Sequence, residues 1–357
     1  MTMRRLINLK RVEARRIYLT YFIVIAAYVI CQTMSSTKMM SSSMRGMLVP
    51  ICAYMVMAVS LNLVVGISGE LSLGHAGFMS VGAFSGVATA ILLQNLIPFA
   101  PVRLAIAMIS GAVFAALAGF LIGIPVLRLK GDYLAIVTLA FGEIIKSILN
   151  NFYLGVDSAG LHFSMLSDTT RLLPGGQLII RGPMGISRIM KIATFPAGFI
   201  LVMIALAIVF NLVNSRFGRG FMAIRDDRIA AESIGLDVTK FKLTAFVMSA
   251  ALAGAAGCLF SLNYSTIVAN KFDFNTSILI LVFVVLGGQG NMLGSIIAAA
   301  ALTILPEKLR EFADYRMLLY AVILIMTMLI TNNDNIKAFF QNIFPGSKAK
   351  IQKESDD

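Results

Sequence analysis

Apolar residues in this chain gather in long, nearly unbroken runs separated by short polar intervals, with neither a narrow 3.6-residue stripe nor strict alternation. A helix needs about 20 mainly apolar residues to cross a bilayer. By that measure the runs Ile17–Thr33, Met47–Val65, Leu71–Leu93, Val102–Leu127, Tyr133–Phe152, Phe195–Val213, Leu243–Ser265 and Met317–Ile330 each predict a span. An interrupted run, Ser277–Leu305, predicts either one span or a re-entrant pair. The total is eight to ten spans. Each helix closes its own backbone hydrogen bonds in lipid, so the expected architecture is an all-α polytopic bundle with broken or re-entrant segments; a β-barrel needs alternating segments of about ten residues.

One interval breaks the apolar pattern. Gly218–Gly235, reading GRGFMAIRDDRIAAESIG, is densely charged for the length of a short helix and lies within a polar loop, Asn214–Lys242, between two spans. Ala230, Ala231 and Glu232 predict a short helix stopped by Gly235, seated in a groove of a soluble partner with Ala231 central. Arg219, Arg225, Asp226 and Arg228 border that contact in this reading, with Asp227 on a solvated rim. The ordinary alternative is a solvated loop between membrane helices.

Composition confirms the class. Of 357 residues 58% are hydrophobic and 13% charged, and the mean hydropathy is +0.84, well outside the soluble range. The net charge of +12 raises the question of nucleic acid, but the basic residues sit in tails and short loops beside apolar spans, where membrane topology accounts for them. Cys31, Cys52 and Cys258 lie in apolar runs without CxxC spacing, and the chain has two histidines. A disulfide framework, a zinc or His-based metal centre and a Ser-His-Asp triad are therefore not expected. No GxxxxGK[ST] phosphate loop occurs, so any ATPase is another chain, and no cofactor is expected. Ile17–Thr33 is long for a signal peptide and no A-x-A-like site succeeds it, so it reads as a retained helix.

Arg4, Arg5, Lys10, Arg11, Arg15 and Arg16 precede the first span with only Glu13 against them, which predicts a cytoplasmic N-terminal segment, 1–16. Counting crossings from there places loop 154–194 outside, loop 214–242 inside, and a permease domain over 17–331 ahead of a polar tail, 332–357. The outer loop carries Arg171, Arg181, Arg188 and Lys191, which long loops tolerate.

Polar groups within apolar runs are functional candidates, because burying them in lipid is costly. They are Asn62, Glu70, His75, Glu143, Lys146 and Asn150. Glu143 and Lys146 share a helical face three residues apart and predict a local ion pair; Asn150 lies on the face of Glu143. His75 reads as a hydrogen-bonding residue between helices. Small residues crowd Gly66–Gly86 and Ala250–Gly257, where they let helices approach closely. Gly287, Gly288 and Gly290 interrupt an apolar run, as broken helices lining a cavity do.

These motifs carry a resemblance. Ser60–Gly66 (SLNLVVG) and Gly69–Phe78 (GELSLGHAGF), then Leu127–Asn151, Gly182–Ile186 (GPMGI), Gly218–Gly257 and Val284–Ala300 (VVLGGQGNMLGSIIAAA), resemble in order the permeases of ABC importers for branched-chain amino acids. Leu127–Asn151 and Gly182–Ile186 resemble the M-type subunit. The resemblance covers roughly Met47–Arg310. It implies a multi-pass protein of a bacterial inner or plasma membrane, partnered by a homologous H-type permease, two cytoplasmic ATPase subunits and an extracytoplasmic binding protein that delivers leucine, isoleucine or valine. It places Gly218–Gly235 at the ATPase-facing loop, and Asn62, Gly69, Glu70, Gly74, His75, Glu143, Asn150, Gly287, Gly288 and Gly290 as pathway candidates. Glu70 stands where an amide is more usual in the family. The chain is expected to hold no catalytic residue, its mechanism alternating access driven by the ATPases. Rival readings are a urea or amide importer of the same family, an ion-coupled secondary carrier, which needs coupling-ion chemistry and an inverted repeat, and an intramembrane enzyme, which needs a nucleophile and base.

Overall fold

The computed structural model describes residues 3–37, 39–129, 131–157, 160–165 and 176–309, and the four positions 318, 321, 322 and 325. Its helices are α1 (Met3–Ser36), α2 (Ser42–Asn62), α3 (His75–Leu92), α4 (Ala100–Val126), α5 (Asp132–Asn150), α6 (Phe195–Asn214), α7 (Arg216–Asp226), α8 (Arg228–Ser233), α9 (Val238–Ser261), α10 (Phe274–Gly287) and α11 (Met292–Lys308). Among the described residues eight helices are long and apolar enough to cross a membrane. This is an all-α polytopic membrane protein.

Sequence chemistry explains which spans sit in the centre. Within its most apolar window α2 is 89% buried, and α3 and α9 are each 72% buried, against 11% for α1 and 17% for α5. The outer helices present Phe22, Phe114, Leu121 and Ile136 outward, as a lipid-facing surface requires. α3 and α9 can occupy the middle because glycines remove side chains where they cross: a Cβ on Gly82 would land on the backbone of Gly254, and one on Gly257 on that of Met79. Close approach of this kind replaces the hydrophobic driving force that lipid does not supply.

Several boundaries differ from the hydropathy reading. α3 begins at His75 rather than Leu71, because Ser68–Gly74 leaves the helix: Gly69 has φ +77°, and Leu73 donates its N–H to Thr138 Oγ1 of α5 at 3.0 Å. α9 starts at Val238 rather than Leu243, capped by Asp237, which accepts from the Lys240 N–H at 3.1 Å. It ends at Ser261, short of Ser265. The charged interval therefore narrows from 214–242 to 215–237, with Asn214 in α6 and Lys240 and Lys242 in α9. Phe152 opens a strand instead of closing α5. The basic segment 1–16 is no separate element, since the α1 backbone runs through it from Met3. Ser277–Leu305 resolves into α10 and α11 around a break at 288–291. Of the expected Met317–Ile330 span only four residues are described, and the tail 332–357 lies outside the described residues.

The segment between α5 and α6 carries strands. β1 (Phe152–Asp157), β2 (Gly160–Met165) and β3 (Gln177–Arg181) form an antiparallel sheet in the order β2-β1-β3, and β4 (Ile186–Ser187) pairs with β5 (Thr266–Ile267). The second pairing ties this segment to the stretch after α9, with Ile186 opposite Ile267. Neither sheet closes on itself, so the strands decorate a helical bundle.

Candidate coupling surface and translocation pathway

The charged interval folds as a helical hairpin with each end capped. The Ser215 hydroxyl accepts from Phe217 N–H at the start of α7 (3.1 Å). The Asp227 carboxylate accepts from the N–H groups of Ile229 (2.9 Å) and Ala230 (3.0 Å) at the start of α8, the arrangement expected of an N-cap. Asp227 is exposed, as a rim residue is, and also serves as the N-cap between the two helices. At the far end Gly235, at φ +85°, donates to Glu232 O (3.0 Å) while Leu236 N–H reaches Ala231 O (3.1 Å), closing α8 in a Schellman turn. Arg228 and Glu232 pair across one turn at 2.9 Å. The Lys240 ammonium, 3.0 Å from Asp237, holds that carboxyl below its usual range.

Ala231 does not reach the surface. It is 2% exposed and packs with Ile224 of α7 and Val238 of α9 in a small separate core, with Leu236 and Phe241 against it. The apolar side chains that do face outward are Ile229 and Ile234, 80% and 75% exposed. Arg219, Asp226, Ala230, Glu232 and Gly235 are exposed around them. The spacing of alanines pointed to a short helix, and the side of α8 that meets the rest of the chain is set by Ile224 and Val238 lying on neighbouring elements. Phe221 and Phe217 of α7 hold the hairpin to α9 through Phe241, with ring centroids 5.9 and 5.6 Å apart.

Arg225 turns toward the bundle. Its Nη1 donates to Gly66 O at 3.0 Å, its other nitrogens bond Asp226 at 3.1 and 3.2 Å, and its stem lies over Gly69, where a Cβ would meet Cγ at 2.6 Å. Gly66 belongs to a π turn, Leu63–Ile67, that ends α2. Beside it Glu70 forms an ion pair with Lys242 of α9, both side chains nearly enclosed at 12% and 10% exposure. That pairing accounts for a carboxylate at position 70, since an amide there leaves the ammonium without a counter-charge.

The remaining pathway candidates are scattered over several places. Asn62 joins the glycine break: its Oδ1 accepts from Gly290 N–H (2.7 Å) and its Nδ2 donates to Ser295 Oγ (2.8 Å). Gly287 packs against the backbone of Gly294 and Ser295, and Gly288 closes α10 at φ +90°. Gly74 and His75 lie elsewhere. His75 is buried with Nε2 2.8 Å from Ser60 Oγ, and Ser60 O accepts from Ser249 Oγ at 2.6 Å, so the histidine links α3 to α2 and through it to α9. Gly74 touches the Thr138 backbone. Glu143 pairs with Lys146 and, with Asp273, Phe272 and Ser277, lines a cleft of about 10 Å³, space for about one water. Asn150 stands apart at the end of α5, donating to Asn270 Oδ1 at 3.0 Å. Lys242 and Ser295 escaped the sequence reading; only the pairing of distant elements reveals them.

A bundle of apolar helices with a capped charged hairpin on one face and a broken helix tied to its central span defines a multi-pass membrane permease. The family model for the permease component of branched-chain amino acid transport systems matches residues 43–331, and the chain belongs to that family. It is 36% identical to the high-affinity branched-chain amino acid transport system permease protein LivM of Escherichia coli (strain K12) over 293 residues, covering 77% of this chain and 66% of that protein. It is 34% identical to the LivM protein of Salmonella typhimurium, with the same two shares covered. It is 27% identical to the fructose import permease protein FruG of Bifidobacterium longum over 66% of this chain and 67% of that protein. The chain thus spans just under two thirds of the length of the LivM proteins it matches. No solved structure matches it.

Proposed function

We propose that this chain is the M-type permease subunit of an ATP-driven importer of leucine, isoleucine and valine in a bacterial inner membrane. Its N-terminus lies in the cytoplasm; its partners are an H-type permease, two ATPase subunits that bind the hairpin 216–233, and an extracytoplasmic binding protein that delivers the solute. The chain itself catalyses no reaction, and nucleic acid has no part in its work. Support for the class comes from the LivM relatives, and support for the docking face comes from one observation: a charged, fully capped hairpin that holds two isoleucines outward. Exposed isoleucines on a rigid polar frame fit a soluble partner's groove, where burying each contributes about 1.5–3 kcal/mol.

The test is co-purification of this chain with the ATPase subunits of its importer. Ile229→Asp and Ile234→Asp leave the small core of Ile224, Ala231 and Val238 intact and should release the ATPases, while Glu232→Gln at the rim should retain them. Wild-type recovery of both ATPases with the two aspartates in place would remove the hairpin from the interface. Competition fixes the solute: unlabelled isoleucine and valine should displace labelled leucine from uptake, and urea should not.

A further inference from the structure

The contacts around the π turn run without a gap from the charged hairpin to the glycine break. Arg225 of α7 donates to Gly66 O (3.0 Å) and lays its stem on Gly69. Gly66 lies so near Gly290 that a Cβ on it would run into Gly290 N and Asn62 Oδ1. Asn62, the residue before the π turn, accepts from Gly290 N–H at 2.7 Å and donates to Ser295 Oγ at 2.8 Å. Glu70, three residues beyond the turn, is clasped by Lys242 in a nearly enclosed pair. The links from Arg225 to Gly66, from Asn62 to Gly290 and Ser295, and from Lys242 to Glu70 are all directed bonds.

A π turn has a natural second state. It holds one residue more than an α turn, with Ser68 N–H bonding Leu63 O at 3.1 Å; reverting to the α register rotates the downstream backbone by about 100° about the helix axis. Such a rotation would carry Gly66 away from Gly290 and Glu70 away from Lys242 together. Coupling across a membrane protein needs an element with two discrete arrangements that both ends bias, and the π register with the α register as its alternative would supply the two.

We propose that the π turn Leu63–Ile67 is the joint through which movement of the hairpin reaches the Gly288–Gly290 break, with Arg225 as the positioning residue that drives it and the Glu70–Lys242 pair as the clasp that sets its resting state. The proposal rests on this chain being an importer permease. Arg225→Met keeps the stem over Gly69 and removes the bond to Gly66 O.

The experiment uses the complete importer in proteoliposomes and measures leucine taken up per ATP hydrolysed. Arg225→Met, which leaves the outward Ile229 and Ile234 in place, should lower leucine uptake per ATP hydrolysed about tenfold. Glu70→Lys and Lys242→Glu should each lower that ratio, and the two together should restore most of it. A ratio unchanged in Arg225→Met, a double reversal no better than either single one, or a parallel loss of assembly, hydrolysis and uptake would overturn the proposal. A second readout does not depend on the solute: spin labels at Leu71 and Gln289, in a background without Cys31, Cys52 and Cys258, should change separation when ATP binds, and Arg225→Met should abolish the change. A separation indifferent to ATP in the parent overturns the joint. Movement without leucine uptake leaves the joint standing and removes only the assigned solute.

Discussion

Two glycine-rich regions of this protein use the absence of a side chain for different ends. Where α3, α4 and α9 cross, Gly82, Gly111 and Gly254 press helix backbones together, and a Cβ on any of them would strike a neighbouring backbone or side chain. Apolar contact dominates there: Ala83, Ala107, Ala115, Ala250 and Ala253 fill the surroundings, all fully buried, with one bond from Ser110 Oγ to Thr89 Oγ1 between α4 and α3 at 3.0 Å. Around Gly66 and Gly290 the backbones approach just as closely, yet the contact is fixed by hydrogen bonds: Arg225 donates to Gly66 O, Gly290 N–H to Asn62 Oδ1, and Asn62 Nδ2 to Ser295 Oγ. Apolar packing at backbone distance is stiff because every displacement opens a void or a clash. Directed bonds between a few polar groups define one arrangement and permit a second in which the same groups pair otherwise. One region holds the bundle, and the other is suited to move within it.

The comparison breaks most readily at the crossing. Gly82→Leu should abolish recovery of monodisperse protein from membranes, since overpacking of a close contact costs about 1–3 kcal/mol or more and here the obstacle is backbone; size-exclusion profile and yield are the readout. Gly66→Ala should act differently despite an equally tight site, giving folded protein whose leucine uptake falls about tenfold, because the joint has a second arrangement to yield into. Equal loss of fold in both would erase the distinction. Gly288→Ala comes next. Its Cβ has open space, with Asn291 Cβ at 3.7 Å the nearest atom, so the cost is the φ of +90° alone, about 1–3 kcal/mol, visible as a lowered thermal midpoint with reduced uptake. The smallest effect is expected on the hairpin. Asp227→Asn preserves an N-cap acceptor and should change ATPase recovery little, whereas Asp227→Ala removes it at about 1 kcal/mol. An asparagine variant as impaired as alanine would show that charge, and not capping, is what position 227 supplies.

How much of this could be read from the chain depends on whether the signal was local. Spans emerge from 20-residue windows of hydropathy, and the charged hairpin stands out because its residues are contiguous. Gly235 and the break at Gly287–Gly290 were visible because glycine punctuates helices wherever it falls. The start of α3 was misplaced because Leu71 and Leu73 are apolar while their backbone turns toward Thr138. The strands were missed because β1 and β2 are six residues each, too short to announce themselves beside membrane helices. LVVGI reads as ordinary helix; only its partners show it to be a π turn. The burial of Ala231 and the pairing of Glu70 with Lys242, 172 residues away, depend on which elements fold together, and no spacing within the chain encodes that.

The measurement that bears most directly on the account is labelled leucine uptake into proteoliposomes holding this chain, its H-type partner and both ATPases, with binding protein and ATP supplied on opposite faces. The account predicts accumulation against a gradient that requires ATP and the binding protein together and is lost when Ile229 and Ile234 are both changed to aspartate. Leucine accumulation without ATP, driven by an ion gradient alone, would contradict it.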